Sequence, residues 1–226
     1  MTARRVVLVL IGAAALSVGL IATSQLGARD REAKPAAADT THSSLAGIPQ
    51  RGIELGSPDA PVTLVEYADL QCPYCAEWAV RTFPVLVSDY VRTGKLRIVF
   101  HGLAFIGPDS DTALRTAIAA GRDNRLWDVV EGFYVRQGAE NAWVTDELVD
   151  DVAAEAGLDA GRLRDARDDS WVTAQLRNAQ AAADAAGVQG TPSFQLGRTG
   201  GALELVQLRS LAPEGITPAI DALLRP

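Results

Sequence analysis

Val62-Thr63-Leu64-Val65-Glu66-Tyr67, then Ala68-Asp69-Leu70-Gln71, then Cys72-Pro73-Tyr74-Cys75: this stretch decides the fold. The first six residues form a mostly apolar, β-branched run of the kind that makes a central strand buried on both faces. Ala68 to Gln71 read as a loop. Pro73 suits the first turn of a helix, where its missing N–H has no intrahelical partner to lose. Cys72 then falls at the N-cap and Cys75 one turn in, so strand, loop and helix deliver two thiols to one helix end.

Outward from the motif the pattern alternates. The helix runs on through Trp78 and Val80, with a kink or break expected at Pro84 and a stop at Gly94. Leu96–His101 is the next strand. Upstream, Gly52–Gly56 reads as a short edge strand and Ser57–Pro61 as a turn. Residues 110–187 read as wholly helical. They comprise an Ala-rich segment from Thr112 to Gly121, an aromatic one from Leu126 to Arg136, a helix capped by Thr145, and one from Trp171 to Ala186 that stops at Gly187. Gly187–Pro192 is a loop. Ser193–Leu196 and Leu203–Leu208 form a hairpin around a Gly197–Gly201 turn, and Thr217–Leu224 is a last helix. The order β-β-α-β, helices, β-β-α implies an α/β fold with a helical insertion, about 110–187, between a βαβ half and a C-terminal ββα half.

The N-terminus has a different character. Arg4 and Arg5 precede the apolar run Val6–Ala22, the pattern of a signal peptide or signal anchor over residues 1–24. The run sits at the lower limit of the roughly 17 to 25 residues that span a bilayer. The arginines stay on the cytoplasmic side, so everything after Ala22 is exported. Ala22-Thr23-Ser24 and Leu26-Gly27-Ala28 are poor cleavage sites, which favours an uncleaved anchor over cleavage and release. Residues 25–48 are polar, small and aperiodic and read as a flexible tether, leaving 49–226 as the folded domain. The chain of 226 residues carries a net charge of −7, which argues against nucleic acid as a partner, since that needs a basic surface.

Cys72 and Cys75 are the two cysteines of the sequence. In an oxidising compartment cysteines usually pair as staples, but a staple across so short a loop gains little, because the benefit grows with loop length. Zinc needs two more ligands, and the only histidines, His42 and His101, are not spaced as a pair. No cofactor is called for. A redox pair explains the spacing better. The nucleophile in disulfide exchange is a thiolate, which needs a lowered pKa and exposure. At the N-cap, the free amides of Tyr74 and Cys75 and the helix dipole favour the Cys72 anion. Cys75 is then the resolving thiol.

Two further features surround the pair. Glu66 is the one charged residue in the strand. It is either a proton acceptor for Cys75 with a raised pKa or a residue turned out at a strand edge. Thr191-Pro192 lies between a helix stop and a strand. The proline is either cis, baring the Thr191 backbone for an extended substrate peptide, or an ordinary turn proline. Tyr74 is solvent-facing and a candidate substrate contact, Trp78 packs beneath the motif, and His101 either borders the site or, as its position at a strand end favours, is a surface or core residue.

The strand ending in Val65-Glu66-Tyr67, the Cys72-Pro73-Tyr74-Cys75 helix start, the helical insertion and Gly190-Thr191-Pro192-Ser193-Phe194 resemble the DsbA-type thioredoxin-fold proteins, and within them the extracytoplasmic BdbD-like branch. The resemblance covers about residues 49–226. It implies that Cys72 attacks, Cys75 resolves, Glu66 relays the proton and Pro192 is cis. It also implies an oxidase that passes its disulfide to cysteine-containing exported proteins and is recycled by a membrane partner of the DsbB or vitamin-K-epoxide-reductase type. The inner pair Pro73-Tyr74 departs from the Pro-His of the best-known oxidase and so lacks a histidine beside the thiolate. A reductase or isomerase of the same fold is the alternative. A binding module with a static disulfide is a more distant one.

Overall fold

The computed structural model describes residues 45–138 and 142–225. The signal segment at 1–24 and the tether as far as residue 44 lie outside the described residues. Among the described residues, no helix is long and apolar enough to cross a membrane.

Six strands form one sheet in the order β1-β2-β4-β3-β5-β6. The strands are β1 Gln50–Arg51, β2 Glu54–Leu55, β3 Val62–Ala68, β4 Leu96–Gly102, β5 Ser193–Arg198 and β6 Glu204–Leu205. At its centre, β3 pairs parallel with β4 and antiparallel with β5. All seven residues of β3 are buried, as its unbroken apolar run requires. The chain leaves β3 through helix α1 (Pro73–Arg81), α2 (Phe83–Leu86) and a π-helical turn (Val87–Val91) before returning as β4. Between β4 and β5 lie α3 (Pro108–Gly121), α4 (Leu126–Val135), α5 (Asp146–Glu155), α6 (Ala160–Ala166) and α7 (Ser170–Ala186); α8 (Thr217–Leu224) follows β6.

The alternation along β3 sorts the core into two layers. Leu64 and Ala68 join the large cluster that includes Trp78 of α1, Trp127 and Phe133 of α4 and Ile220 of α8. Val65 and Tyr67 face the other way, against Ala183 of α7. Aromatic contacts tie the larger layer together. Trp127 stacks on Phe83 at 5.3 Å and meets Phe100 edge-on at 5.7 Å, and Trp78 lies 4.2 Å from Phe194. Such pairs contribute about 0.5–1.5 kcal/mol each beyond the area they bury.

Several expectations hold locally. Thr145 caps α5, its hydroxyl accepting from the Leu148 amide, and Gly187 ends α7 with a left-handed φ of 71° that glycine adopts without strain. Others need correction. The segment read as one edge strand, Gly52–Gly56, belongs to a minimal hairpin, because Gly52 takes φ 58° and turns the chain between β1 and β2. Leu203–Leu208 contributes only Glu204–Leu205 to the sheet, and both residues are exposed at its edge. The first helix breaks at Thr82, before Pro84. Pro84 cannot donate to the Val80 carbonyl, and Thr82 closes the helix by bonding Trp78 at 2.9 Å. Helix α6 falls within the stretch read as helical; it is short, and Leu163 is its one buried residue. Residues 45–48, assigned to the tether by composition, belong to the body: Leu45 and Ile48 are buried in the main core, and Arg92 donates to the Ala46 carbonyl at 2.9 Å.

Candidate active site

The site forms where β3 ends. Asp69, fully buried, organises the loop: Oδ1 accepts from the Gln71 amide at 2.8 Å, and Oδ2 accepts from the Phe105 and Ile106 amides at 2.9 and 3.0 Å. Its backbone carbonyl accepts from the Cys72 amide at 3.0 Å and from the Tyr134 hydroxyl at 3.4 Å. Gln137, just beyond α4, donates to the Leu70 and Cys72 carbonyls at 2.7 and 3.1 Å. The backbone on both sides of Cys72 is therefore held by Asp69, itself braced by the β4–α3 loop, and by Gln137.

Cys72 occupies the N-cap of α1 in extended conformation, with Pro73 in the first turn. Cys72 and Cys75 are both free thiols. The thiol of Cys72 donates to the Thr191 carbonyl at 3.4 Å, and the Thr191–Pro192 bond is cis. The fold thus brings together Cys72, Cys75, Thr191 and Pro192. Beside them a groove of about 510 Å³ is lined by Gly190, Thr191, Pro192, Phe194, Leu205 and Val206. Tyr74 is 63% exposed. Cys72 corrects the expectation of an exposed nucleophile: it is 3% exposed, lying under the Thr191 loop.

The electrostatics separate the two thiols. The neighbouring Cys75 thiol, then Thr191 and the amides of Cys75 and Tyr74, lower Cys72 to about 6, while burial works the other way. The Thr191 hydroxyl is buried and lies toward the sulfur without the geometry of a full hydrogen bond. Burial, followed by the adjacent Cys72, pushes the Cys75 thiol far above its ordinary value. Glu66 is 2% exposed, and burial raises its carboxyl to about 8. The indole N–H of Trp78 approaches that carboxyl and offsets part of the rise, again short of a full hydrogen bond. Burial, then the charges of Cys75, Glu66, Cys72 and Asp69, raise the Tyr134 hydroxyl well above its ordinary value.

His101 sits elsewhere. It meets Tyr67 edge-on at 5.3 Å in the layer facing α7, and burial lowers its pKa. Among the described residues, no cluster of three or more His, Cys, Asp or Glu side chains is arranged to hold a metal ion. Asp69, Glu131, Tyr134 and Gln137 escaped the sequence reading. Glu131 left a signal, a carboxyl in the otherwise apolar run Val129–Val135; Gln137 left none.

A family model described as thioredoxin matches residues 50–202. The chain belongs to that family. Its thioredoxin-like fold agrees with solved structures. Oxidised BdbD from Bacillus subtilis superimposes with a TM-score of 0.66 at 22% identity, covering 78% of this chain and 97% of that one. A thioredoxin-like oxidoreductase from Silicibacter pomeroyi gives 0.57 at 26% identity, covering 80% and 95%. Among curated relatives, a protein named probable disulfide bond formation protein D of Bacillus anthracis is 31% identical over 144 residues, 62% of this chain and 66% of the relative. The Bacillus subtilis disulfide bond formation protein D is 32% identical over 102 residues, 44% of this chain and 46% of that one. The matches thus span between about half and two thirds of these relatives.

Proposed function

We propose that this thioredoxin-family protein is an exported thiol:disulfide oxidoreductase working as an oxidase. The observation that carries the reading is the asymmetry of the dithiol: Cys72 lowered to about 6 at a helix N-terminus, Cys75 buried and raised. In the oxidised enzyme, a substrate thiolate attacks the Cys72 sulfur, and the Cys72–Cys75 bond breaks. Cys75 leaves as a thiolate and takes up a proton, for which the nearby Glu66 carboxyl is the donor. A second substrate thiolate then attacks the substrate sulfur of the mixed disulfide. Cys72 departs as a stabilised thiolate, and the substrate keeps the disulfide. A low leaving-group pKa speeds that release, and stabilising the reduced form makes the couple oxidising. Two electrons now reside on the dithiol, and a membrane partner of the DsbB or vitamin-K-epoxide-reductase type removes them.

Substrate binding follows the same geometry. The Thr191 backbone, next to Pro192 and the groove, pairs with an extended segment of a cysteine-containing exported protein, and the exposed Tyr74 ring meets it from the other side of Cys72. The N-terminal segment at 1–24 anchors the enzyme, holding the catalytic domain outside the cell membrane.

Equilibration of the Cys72–Cys75 couple with glutathione tests the direction of flow. The oxidase reading expects a potential above about −200 mV; a value near the roughly −270 mV of thioredoxin overturns it in favour of a reductase.

A further inference from the structure

Helix α4 carries a stripe of side chains across the sheet. Trp127, Glu131 and Tyr134 recur at i, i+4 and i+7 and so share a face. At one end Tyr134 bonds the Asp69 carbonyl beside Cys72, and at the other Trp127 packs edge-on against Phe100. Glu66 pairs in register with Phe100 on one side and Phe194 on the other, and Phe194 touches Trp78 of α1. This places the Glu66 carboxyl between α1, which carries Cys75, and the stripe on α4. Glu131 is 5% exposed, and among the described residues no ion pair reaches it or Glu66. Two buried carboxyls without a cation cannot both ionise cheaply.

One turn back on α4, Asp128 leads outward. Its carboxylate accepts from Gln50 Nε2 at 2.7 Å and pairs with Arg125 at 3.5 Å, whose side chain is half exposed. A cavity of about 420 Å³ lined by Arg125, Asp128 and Gly47 opens there. The other charged groups around α4 are engaged elsewhere. Glu155 of α5 pairs with Arg136, Asp111 and Arg115 of α3 pair with each other, and Asp109 accepts from the Trp143 amide.

We propose that Glu131 is a positioning residue for proton transfer: it forms a buried carboxyl pair with Glu66, and the pair passes the Cys75 proton toward solvent by way of Asp128. When Cys75 resolves a mixed disulfide at Cys72, the pair holds one proton between its two carboxyls, and the carboxylate member takes the S–H proton. The Cys75 thiolate forms the Cys72–Cys75 bond, and the departing thiolate carries off the electron pair. When that disulfide is opened, the pair returns a proton to Cys75. Burial, then the charges of Glu66 and Asp128, hold Glu131 well above the ordinary carboxyl range, in keeping with a proton retained near neutral pH. The inference rests on the reading of Cys75 as the resolving thiol.

The test is a single-turnover reaction of the reduced full-length chain with an aromatic disulfide reagent. The first thiophenolate released reports attack by Cys72, and the second reports resolution by Cys75. For the wild type, the rate of the second release is expected to show two inflections with pH, as coupled acids give. Glu131→Gln should leave one inflection. Glu66→Gln should also leave one and slow resolution at least about ten-fold at neutral pH, within the range usual for losing a proton-transfer group. A Glu131→Gln profile superimposable on the wild type overturns the inference. If no first release occurs, the reading of the function fails instead. Should Glu131→Gln not fold, the carboxyl C=O infrared absorbance of the reduced wild type decides. Two buried acids that ionise in separate steps, with one proton still held between them at neutral pH, support the pair. Loss of every protonated carboxyl by about pH 6 overturns it.

Discussion

The Cys72 sulfur lies 3.4 Å from the carbonyl oxygen of Thr191, 119 positions further along the chain. The contact exists because β3, which delivers Cys72, pairs antiparallel with β5, which begins directly after Thr191 and Pro192. Two loops at the same end of adjacent strands must meet. The helical insertion between them changes their separation in sequence and leaves their separation in space alone.

Cys75→Ala removes the resolving thiol and keeps the attacking one. Expressed in a cell that exports the protein, this variant should accumulate mixed disulfides sensitive to reductant, detected on non-reducing gels. Cys72→Ala should form none. Equal trapping by both variants would show that the two thiols do not hold separate roles, and trapping by Cys72→Ala alone would reverse them.

Glu66 makes stability depend on pH. Its carboxyl sits at about 8 in the fold against an ordinary 4.5. A raised acid holds its proton more tightly folded than unfolded. Its stabilisation is therefore full below about 4.5 and is lost as pH climbs through about 8. Glu66→Gln, neutral throughout, abolishes that loss. In the disulfide form, where the cysteines do not titrate, the variant should gain roughly 2–5 kcal/mol on the wild type between acid and alkaline pH. Urea denaturation across pH measures this, and parallel curves for both proteins would refute it.

Asp69→Ala strips the acceptor from three amides, those of Gln71, Phe105 and Ile106. Buried unsatisfied donors cost about 1–3 kcal/mol each, so the loss of stability should exceed about 2 kcal/mol even after the loop relaxes. The same variant should blunt the reactivity of Cys72, whose amide bonds the Asp69 carbonyl. A change below about 0.5 kcal/mol, the range of ordinary surface substitutions, would show that the loop is held by other means.

The central strand, the N-cap position of Cys72 and the cap of α5 were legible in the sequence because each is a local matter of period, proline placement or a hydroxyl acceptor. Glu66 was legible for the same reason, as a charge in a buried run. The hold on the Cys72 backbone was not. Asp69 and Gln137 act through contacts made only once β3, the β4–α3 loop and α4 are packed, and neither residue type is unusual where it stands. The burial of Cys72 was missed because the covering Thr191 loop arrives from the far half of the chain. Edge elements failed for a different cause: β1, β2 and β6 are two residues each, too short for any alternation to register.

Thr145→Ala tests one local reading in isolation. The Thr145 hydroxyl accepts from the Leu148 amide at 3.2 Å, and losing such a cap should cost about 1 kcal/mol with no effect on thiol reactivity. Thermal unfolding and alkylation rates measured together check both halves of the statement.

The account turns on Cys72 being a thiolate at neutral pH. Ultraviolet thiolate absorbance of the reduced protein, with Cys75→Ala as the control for assignment, reads this directly. The midpoint should fall at about 6 in the wild type and rise in Cys75→Ala, since the Cys75 thiol is the largest contributor to the lowered value. A wild-type midpoint near the ordinary 9.0 would contradict the account.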